Sequence, residues 1–350
     1  MSSDPRQILL IRLSSLGDVL LTTPAIASLK ARFPDASIHF LTRKPSEALI
    51  RHHPAIDRIW IYEENETARR QQVQSLKAIG FDVVVDWQVS LRSREFRSVA
   101  PRRLTFRKHL VKRFLHVRLG TPLHIDPVPV RYLKTLAPLG VTDSGDGLRV
   151  DRPRLLSDRM ERVFTDWKGT GRGPVFFIAA GARHFTKRYP VEYTIRLMTM
   201  LLELQPFARF ILLGGADEMD QAFIIKKAFP DNQLVWNAVG GFSIPESLAL
   251  MSHCQAGFSN DSFLMHAATA CRIPVVAFFG STTLSLGFGP FRSPALVIED
   301  PSVSCRPCSH IGRHACPKGH FRCMMNLEPE TAFPAIYDFL LGHLNAGKQA

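Results

Sequence analysis

No apolar run in this 350-residue chain approaches the roughly 18–20 residues that a membrane-crossing helix needs, so no spanning segment is predicted. The first residues, Met1 to Gln7, lack a basic stretch followed by a long apolar one. No secretory signal is therefore expected, and the chain is expected in the cytoplasm. Acid is scarce in one place. Between Arg92 and Arg118 only Glu95 stands against Arg92, Arg94, Arg97, Arg102, Arg103, Arg107, Lys108, Lys112, Arg113 and Arg118. Residues 1–150 carry 24 Lys and Arg against 14 Asp and Glu, and residues 151–350 carry 20 against 17, so most of the net charge of +13 lies in the first half. Such a segment predicts a surface for a polyanion: a phosphorylated glycan, anionic lipid or nucleic acid. A merely solvated basic face is the plain alternative. Aromatics are sparse there too (Phe96, Phe106, Phe114), with no row of stacking platforms, which disfavours single-stranded nucleic acid.

What is present is a repeated alternation of short apolar runs and amphipathic stretches. Ile8–Leu13 is a continuous apolar run broken only by Arg12, as a strand buried on both faces of a parallel sheet requires. Ser14–Asp18 is a tight polar turn, and Val19–Phe33 follows with helical spacing. Ser37–Thr42, Ile56–Tyr62 and Phe81–Trp87 read as further strands, with helix over Gln71–Ile79. Strands alternating with helices predict an open, doubly wound α/β sheet, with ligand at the carboxyl ends of its strands, where Ser14–Asp18 falls.

Proline and glycine punctuate the middle of the chain, ending in the run Gly169–Pro174, and place a domain boundary in 140–174. A second α/β pattern follows: strands Val175–Ala180, Arg209–Leu213, Ala256–Phe258 and Val275–Phe279, with helices over Val191–Leu204 and Pro245–His253. The expected organisation is an acceptor domain over 1–160, a nucleotide-sugar domain over 170–328, and a terminal helix over 329–350 packing back on the first domain. Two such Rossmann-like halves facing each other across a cleft suit a sugar nucleotide and its acceptor.

The stretch from Ser259 to His266 concentrates polar groups. An apolar run ends just before it and a good helix former follows. Asp261 or Ser262 can cap that helix, whose free N–H groups and dipole suit a phosphate. His266, four residues after Ser262, falls on the same helix face. An ordinary capped helix with a core histidine is the bland reading. Cys254 and Cys271 sit in apolar helical surroundings and read as inert core. Cys305, Cys308, Cys316 and Cys323 form a compact quartet with His310, His314 and His320 among them. In a cytosolic protein that grouping suits a structural zinc or cluster better than disulfides, although the spacing after Cys308 is not that of a standard finger; a structural loop is the alternative.

These stretches resemble glycosyltransferase family nine, the ADP-heptose:lipopolysaccharide heptosyltransferases. Ile8–Pro24, with Ser14-Ser15-Leu16-Gly17-Asp18 before an apolar helix, is similar to its N-terminal signature. Asn260-Asp261-Ser262 with Met265, His266 and Ala268, then Phe279-Gly280-Ser281-Thr282 and Gly289-Pro290, resemble its C-terminal one. The likeness runs in order from Ile8 to about Thr331. It implies a GT-B fold and an inverting transfer from a nucleotide-sugar that needs no metal or other cofactor. By that resemblance Asp18 would be the general base, with Arg12, Ser14, Ser15 and Gly17 shaping the acceptor side. Lys187, before Tyr189 and Pro190, would neutralise the donor's phosphates. Glu246 would hold the ribose, and Asp261, Ser262, His266, Ser281 and Thr282 the rest of the donor. The bland alternatives are an N-cap for Asp18, a solvated lysine for Lys187 and a capping-box acid for Glu246.

One residue departs from the pattern: Phe263 stands where the family usually has glycine, which lets a backbone approach a phosphate. Two readings follow. The first is a transferase moving a heptose or related sugar from an ADP-sugar to an anionic lipid-linked glycan, as a peripheral protein at the inner membrane's cytoplasmic face. The second is a binding protein without turnover or with an altered donor, or a charge-led polyanion or nucleic-acid binder.

Overall fold

The computed structural model describes residues 4–121, 125–152 and 154–346. The chain's first three residues and the last four of the expected terminal segment lie outside the described residues. The chain divides into two units: Met1–His109 with Asp126–Asp151, and Leu110–Ile125 with Arg152–Ala350. The boundary at Asp151 falls inside the interval that the sequence marks. It lies earlier than the expected residue 160, and the excursion Leu110–Ile125 belongs with the second unit.

The first unit carries a five-stranded parallel sheet, ordered β3-β2-β1-β4-β5, from β1 (Gln7–Ile11), β2 (Ser37–Thr42), β3 (Arg58–Ile61), β4 (Val83–Asp86) and β5 (Arg102–Thr105). Its central strands are continuously apolar because helices cover both faces. Leu9 and Ile11 of β1 pack with Val84, Phe81, Leu76 and Phe96 in one core cluster. The chain crosses over after β3, so the topological switch point lies between β1 and β4. The helix expected over Val19–Phe33 is in fact two, Leu16–Leu20 and Thr23–Arg32. Pro24 lacks an N–H and enters the second helix in its first turn, where none is needed. Thr22 and Thr23 turn their hydroxyls back to the carbonyls of Val19 and Leu20 across the break.

The second unit holds six parallel strands, ordered β11-β10-β9-β6-β7-β8: β6 (Val175–Ala179), β7 (Arg209–Leu212), β8 (Val235–Asn237), β9 (Ala256–Asn260), β10 (Val275–Phe279) and β11 (Ala295–Glu299). Its switch point lies between β6 and β9. The terminal helix Pro329–Ala346 belongs to the second unit. Ile336 and Leu340 are buried in the second unit's core with Met198 and Leu201 of the helix Val191–Leu204, and Arg196 pairs with Glu330. The apolar face of that helix finds cover there. No helix among the described residues is long and apolar enough to cross a membrane.

Gly257 shows how tightly β9 and β6 are seated. A Cβ there would lie 2.1 Å from the Phe177 ring. Gly257→Ala is expected to lower stability by about 1–3 kcal/mol through overpacking, read as a fall in the thermal unfolding midpoint at unchanged secondary structure.

Candidate active site

At the switch point of the first sheet, β1 runs into Arg12, whose guanidinium is buried. Its Nη1 donates to the Trp87 carbonyl at 2.8 Å, and its Nη2 pairs with Asp18 Oδ2 at 2.8 Å. Asp18 stands in the first turn of Leu16–Leu20, behind Ser15 as N-cap. Its Oδ2 also accepts the Ser15 N–H at 3.2 Å and the Ser15 hydroxyl at 2.8 Å. The capping alternative is therefore present in part: Ser15 is the cap, and Asp18 completes the box. Burial alone would raise the Asp18 pKa, but Arg12 and the Ser15 donors outweigh it and hold the carboxyl below its ordinary value. Every hydrogen bond and ion pair described for this carboxylate falls on Oδ2.

The turn is held from β4. Gln88 Oε1 accepts the N–H groups of Leu13 at 3.0 Å and Ser14 at 3.3 Å. Asp86, fully buried, accepts from the N–H groups of Gln88 and Val89, from the Ser93 hydroxyl and from Arg97 Nε. Asp86 and Gln88 thus fix the segment that carries Arg12, Ser14, Ser15, Gly17 and Asp18. Sequence reasoning missed both, although their place at the carboxyl end of an apolar run was a signal. Arg97, counted there with the free cations, is spent on Asp86.

At the switch point of the second sheet, Lys187 Nζ meets Asp261 Oδ2 at 2.7 Å, and the Thr282 hydroxyl donates to the same oxygen at 2.6 Å. Asp261, Ser281, Thr282 and His266 are all buried. Ser281 Oγ is buried without a hydrogen-bond partner. Asn260 accepts the Tyr189 N–H and donates to the carbonyls of Ala180 and Gly181, tying the end of β9 to the Lys187 loop. Ser262 is the N-cap of Phe263–Ala270, so Phe263, half-buried, is its first residue and His266 lies one turn in. Thr282→Val, removing the donor to a buried carboxylate, is expected to lower stability by about 1–3 kcal/mol, read as a fall in the thermal unfolding midpoint.

Glu246 accepts from the Ser243 N–H and hydroxyl and pairs with Arg159 at 3.0 Å. Those Ser243 bonds, with Arg159, set its pKa below the ordinary value despite some burial. The capping-box geometry considered for it is thus present. Glu218 is a second missed acid. It sits where a Cβ at Gly181 would lie 2.2 Å from its carboxyl, at the ends of β6 and β7, and burial raises its pKa.

The cysteine quartet requires a correction. Cys305, Cys308, Cys316 and Cys323 are free thiols. Their charges act on one another, and burial first, then the neighbouring thiols, push Cys323 up to about 11. Yet among the described residues no group of three or more His, Cys, Asp or Glu is placed to hold a metal ion. The sulfurs have other neighbours: Cys305 Sγ lies 3.9 Å from His320 Nε2, and Cys316 Sγ accepts the Phe321 N–H. The expected zinc or cluster ligand set is not assembled. The loop instead braces the segments that carry Ser281 and Thr186. The Cys308 N–H donates to the Ser281 carbonyl, and Arg313 and Thr186 exchange backbone and hydroxyl hydrogen bonds. Arg306, unmarked by any motif, donates to the carbonyls of Phe279, Gly280, Thr282 and Asp300 and pairs with Glu299. It locks the loop that presents Ser281 and Thr282.

Solved structures share this architecture. The family 9 glycosyl transferase from Veillonella parvula DSM 2008 superposes with a TM-score of 0.78 at 20% identity, covering 96% of this chain and 97% of that one. The E. coli ADP-heptose lps heptosyltransferase II does so at 0.73 and 21%, covering 96% and 99%. Two parallel α/β units of this kind make the fold GT-B, as the sequence led one to expect. In sequence, lipopolysaccharide heptosyltransferase 3 of Escherichia coli (strain K12) is 26% identical over 282 residues, covering 76% of this chain and 80% of that protein. The chain belongs to glycosyltransferase family 9 (heptosyltransferase), whose sequence profile matches residues 69–315. It is a glycosyltransferase, and the family resemblance is borne out.

Proposed function

We propose that the protein transfers heptose from ADP-heptose to an anionic, lipid-linked glycan of the lipopolysaccharide core, with inversion and without a metal, at the cytoplasmic face of the inner membrane. Asp18 takes the proton of the acceptor hydroxyl as that oxygen attacks the anomeric carbon. Oδ1 receives it, since Oδ2 is occupied by Arg12 and Ser15. The sugar–phosphate bond breaks on the opposite face and ADP departs. Lys187 neutralises the charge that builds on the diphosphate, where a preorganised cation is worth most. Ser281, Thr282 and the first turn at Ser262 offer further donors, and Asp261 holds Lys187 in place until the donor arrives. Glu246 and His266 line the nucleotide and sugar; Ser14 and Gly17 shape the acceptor turn.

The observation that carries this reading is the Lys187–Asp261–Thr282 set, with the unpartnered Ser281 hydroxyl beside it, at the switch point of a parallel sheet. The named relatives, among them the E. coli ADP-heptose lps heptosyltransferase II, support the choice of donor. A thermal-shift comparison of ADP-, UDP-, GDP- and CMP-sugars tests it. ADP-heptose is expected to raise the unfolding midpoint most, by the linkage of binding to stability. Equal shifts from all four would sink the donor assignment.

A second reading rests on Phe263. A half-buried aromatic as the first residue of Phe263–Ala270 adds bulk where a glycine would leave the backbone open. It favours a donor seated differently from that of the relatives, or binding without turnover. Release of ADP on mixing donor and acceptor separates turnover from binding alone.

A further inference from the structure

The helix Leu110–Leu119 is built inside out. A surface helix ordinarily turns its apolar stripe to the core and its polar face to water. Here no residue of the helix is buried, and Leu110, Val111, Phe114 and Leu119 are 65, 72, 60 and 69% exposed. Together with Leu115 they span one half of the cylinder, because positions three and four apart share a face. The side turned to the rest of the second unit carries Arg113, His116 and the half-buried Val117. Arg113 donates to the Leu286 carbonyl at 3.2 Å and lies 5.2 Å from the Phe288 ring centre, and His116 meets the Ser285 hydroxyl at 3.0 Å. Lys112 and Arg118 stand exposed beside the apolar residues, Arg118 within 6.0 Å of the Phe114 ring. From Glu95 to Asp126 the chain has no other acid.

We infer that this helix is a docking surface for an anionic lipid bilayer, lying in the headgroup plane with Phe114, Leu115 and Leu119 below it and Lys112 and Arg118 at the phosphates. Apolar side chains clustered on one exposed face, with Lys112 at its edge and the long Arg118 side chain able to reach out from within it, are what an interfacial helix needs. Each cation near an anionic surface adds favourable energy that salt weakens. A second copy of the chain suits the face less well. A ten-residue helix spans about 15 Å, short for the roughly 1,000 Å² that a stable interface buries. A two-fold pair would also set Lys112 and Arg118 of both copies against one another, with no acid to receive them.

The inference rests on reading the acceptor as lipid-linked. Its test uses neither donor nor acceptor, so its failure and that of the transferase reading are distinguishable. The full chain is sedimented with vesicles of phosphatidylcholine alone or mixed with phosphatidylglycerol. The wild type is expected to partition onto the anionic vesicles. The double substitution Phe114→Glu with Leu119→Glu is expected to lower that partitioning at least about tenfold at an unchanged unfolding midpoint, since both side chains are exposed. Lys112→Glu with Arg118→Glu is expected to erase the preference for anionic over neutral vesicles. Wild-type partitioning by the Phe114/Leu119 variant overturns the inference. So does light scattering that finds a wild-type dimer which this variant converts to monomer while vesicle binding stays the same.

Discussion

Asp18→Asn is expected to lower kcat by about 10²–10⁴-fold, the usual contribution of a positioned general base, while ADP-heptose still binds. Asparagine keeps the shape and can still accept from Ser15, but it cannot take up a proton. It also leaves the buried Arg12 guanidinium without its anion, so the unfolding midpoint should fall as well. Measuring donor affinity by titration separates the two effects: intact binding with lost transfer is the signature of the base. Transfer near the wild-type rate would remove Asp18 from that role. The pH dependence has a definite sign. The carboxyl is held below its ordinary value, so it is ionised throughout the neutral range. The stability it adds is fully present above the unfolded-state pKa of about 3.9 and is lost only as pH falls through the lower folded value. Asp18 should therefore contribute no acid limb to kcat above about pH 5.

Lys187→Ala is expected to cost about 10²–10³-fold in kcat, the scale for removing one preorganised group that meets charge developing in the transition state. The lysine ends a short turn whose neighbours are pinned. Thr186 is bonded to Arg313, Tyr189 to Asn260, and the ammonium itself to Asp261. The cation is thus in position before the diphosphate departs, and alanine leaves Asp261 as an uncompensated negative charge beside it. A variant with normal kcat and a raised KM would show that Lys187 binds ground state and transition state alike, and would assign the leaving-group work elsewhere.

The sequence made the central strands legible because burial on both faces leaves an unbroken apolar run. β1, β4, β6 and β10 fall on such runs, β9 on the shorter Ala256–Phe258 before the polar Ser259 and Asn260, and the candidate turns follow from their ends. Of the edge strands only β3 was legible, within Ile56–Tyr62. β5, Arg102–Thr105, is largely exposed and reads only as part of a basic segment. The helix Leu110–Leu119 was hidden by its inversion, since its apolar residues follow helical spacing but cover no core. The break between Leu16–Leu20 and Thr23–Arg32 was marked by Pro24, yet the apolar spacing ran through it. In the site, Arg12, Asp18, Lys187, Asp261 and Thr282 carry recognisable local patterns. Gln88 and Arg306 do not, because the groups they gather lie 74 to 75 and 24 to 27 residues away in the chain; the Asp86 carboxylate bonds only within its own loop, from Gln88 to Arg97, and no local motif marks it. The cysteines misled for a related reason. Spacing alone cannot tell four sulfurs gathered around an ion from four sulfurs in a loop folded over its neighbours.

Arg306 gathers the carbonyls of the wall that carries Ser281 and Thr282 onto a single guanidinium. Opening that wall would strand a cation amid dry oxygens, so it behaves as a fixed jaw. The entropy of shaping it is settled once, when the chain folds, and need not be met again at each turnover. On the proposed reading, ADP then leaves without the wall first having to loosen, and a sugar of the wrong outline is refused by shape rather than by a slow closing motion.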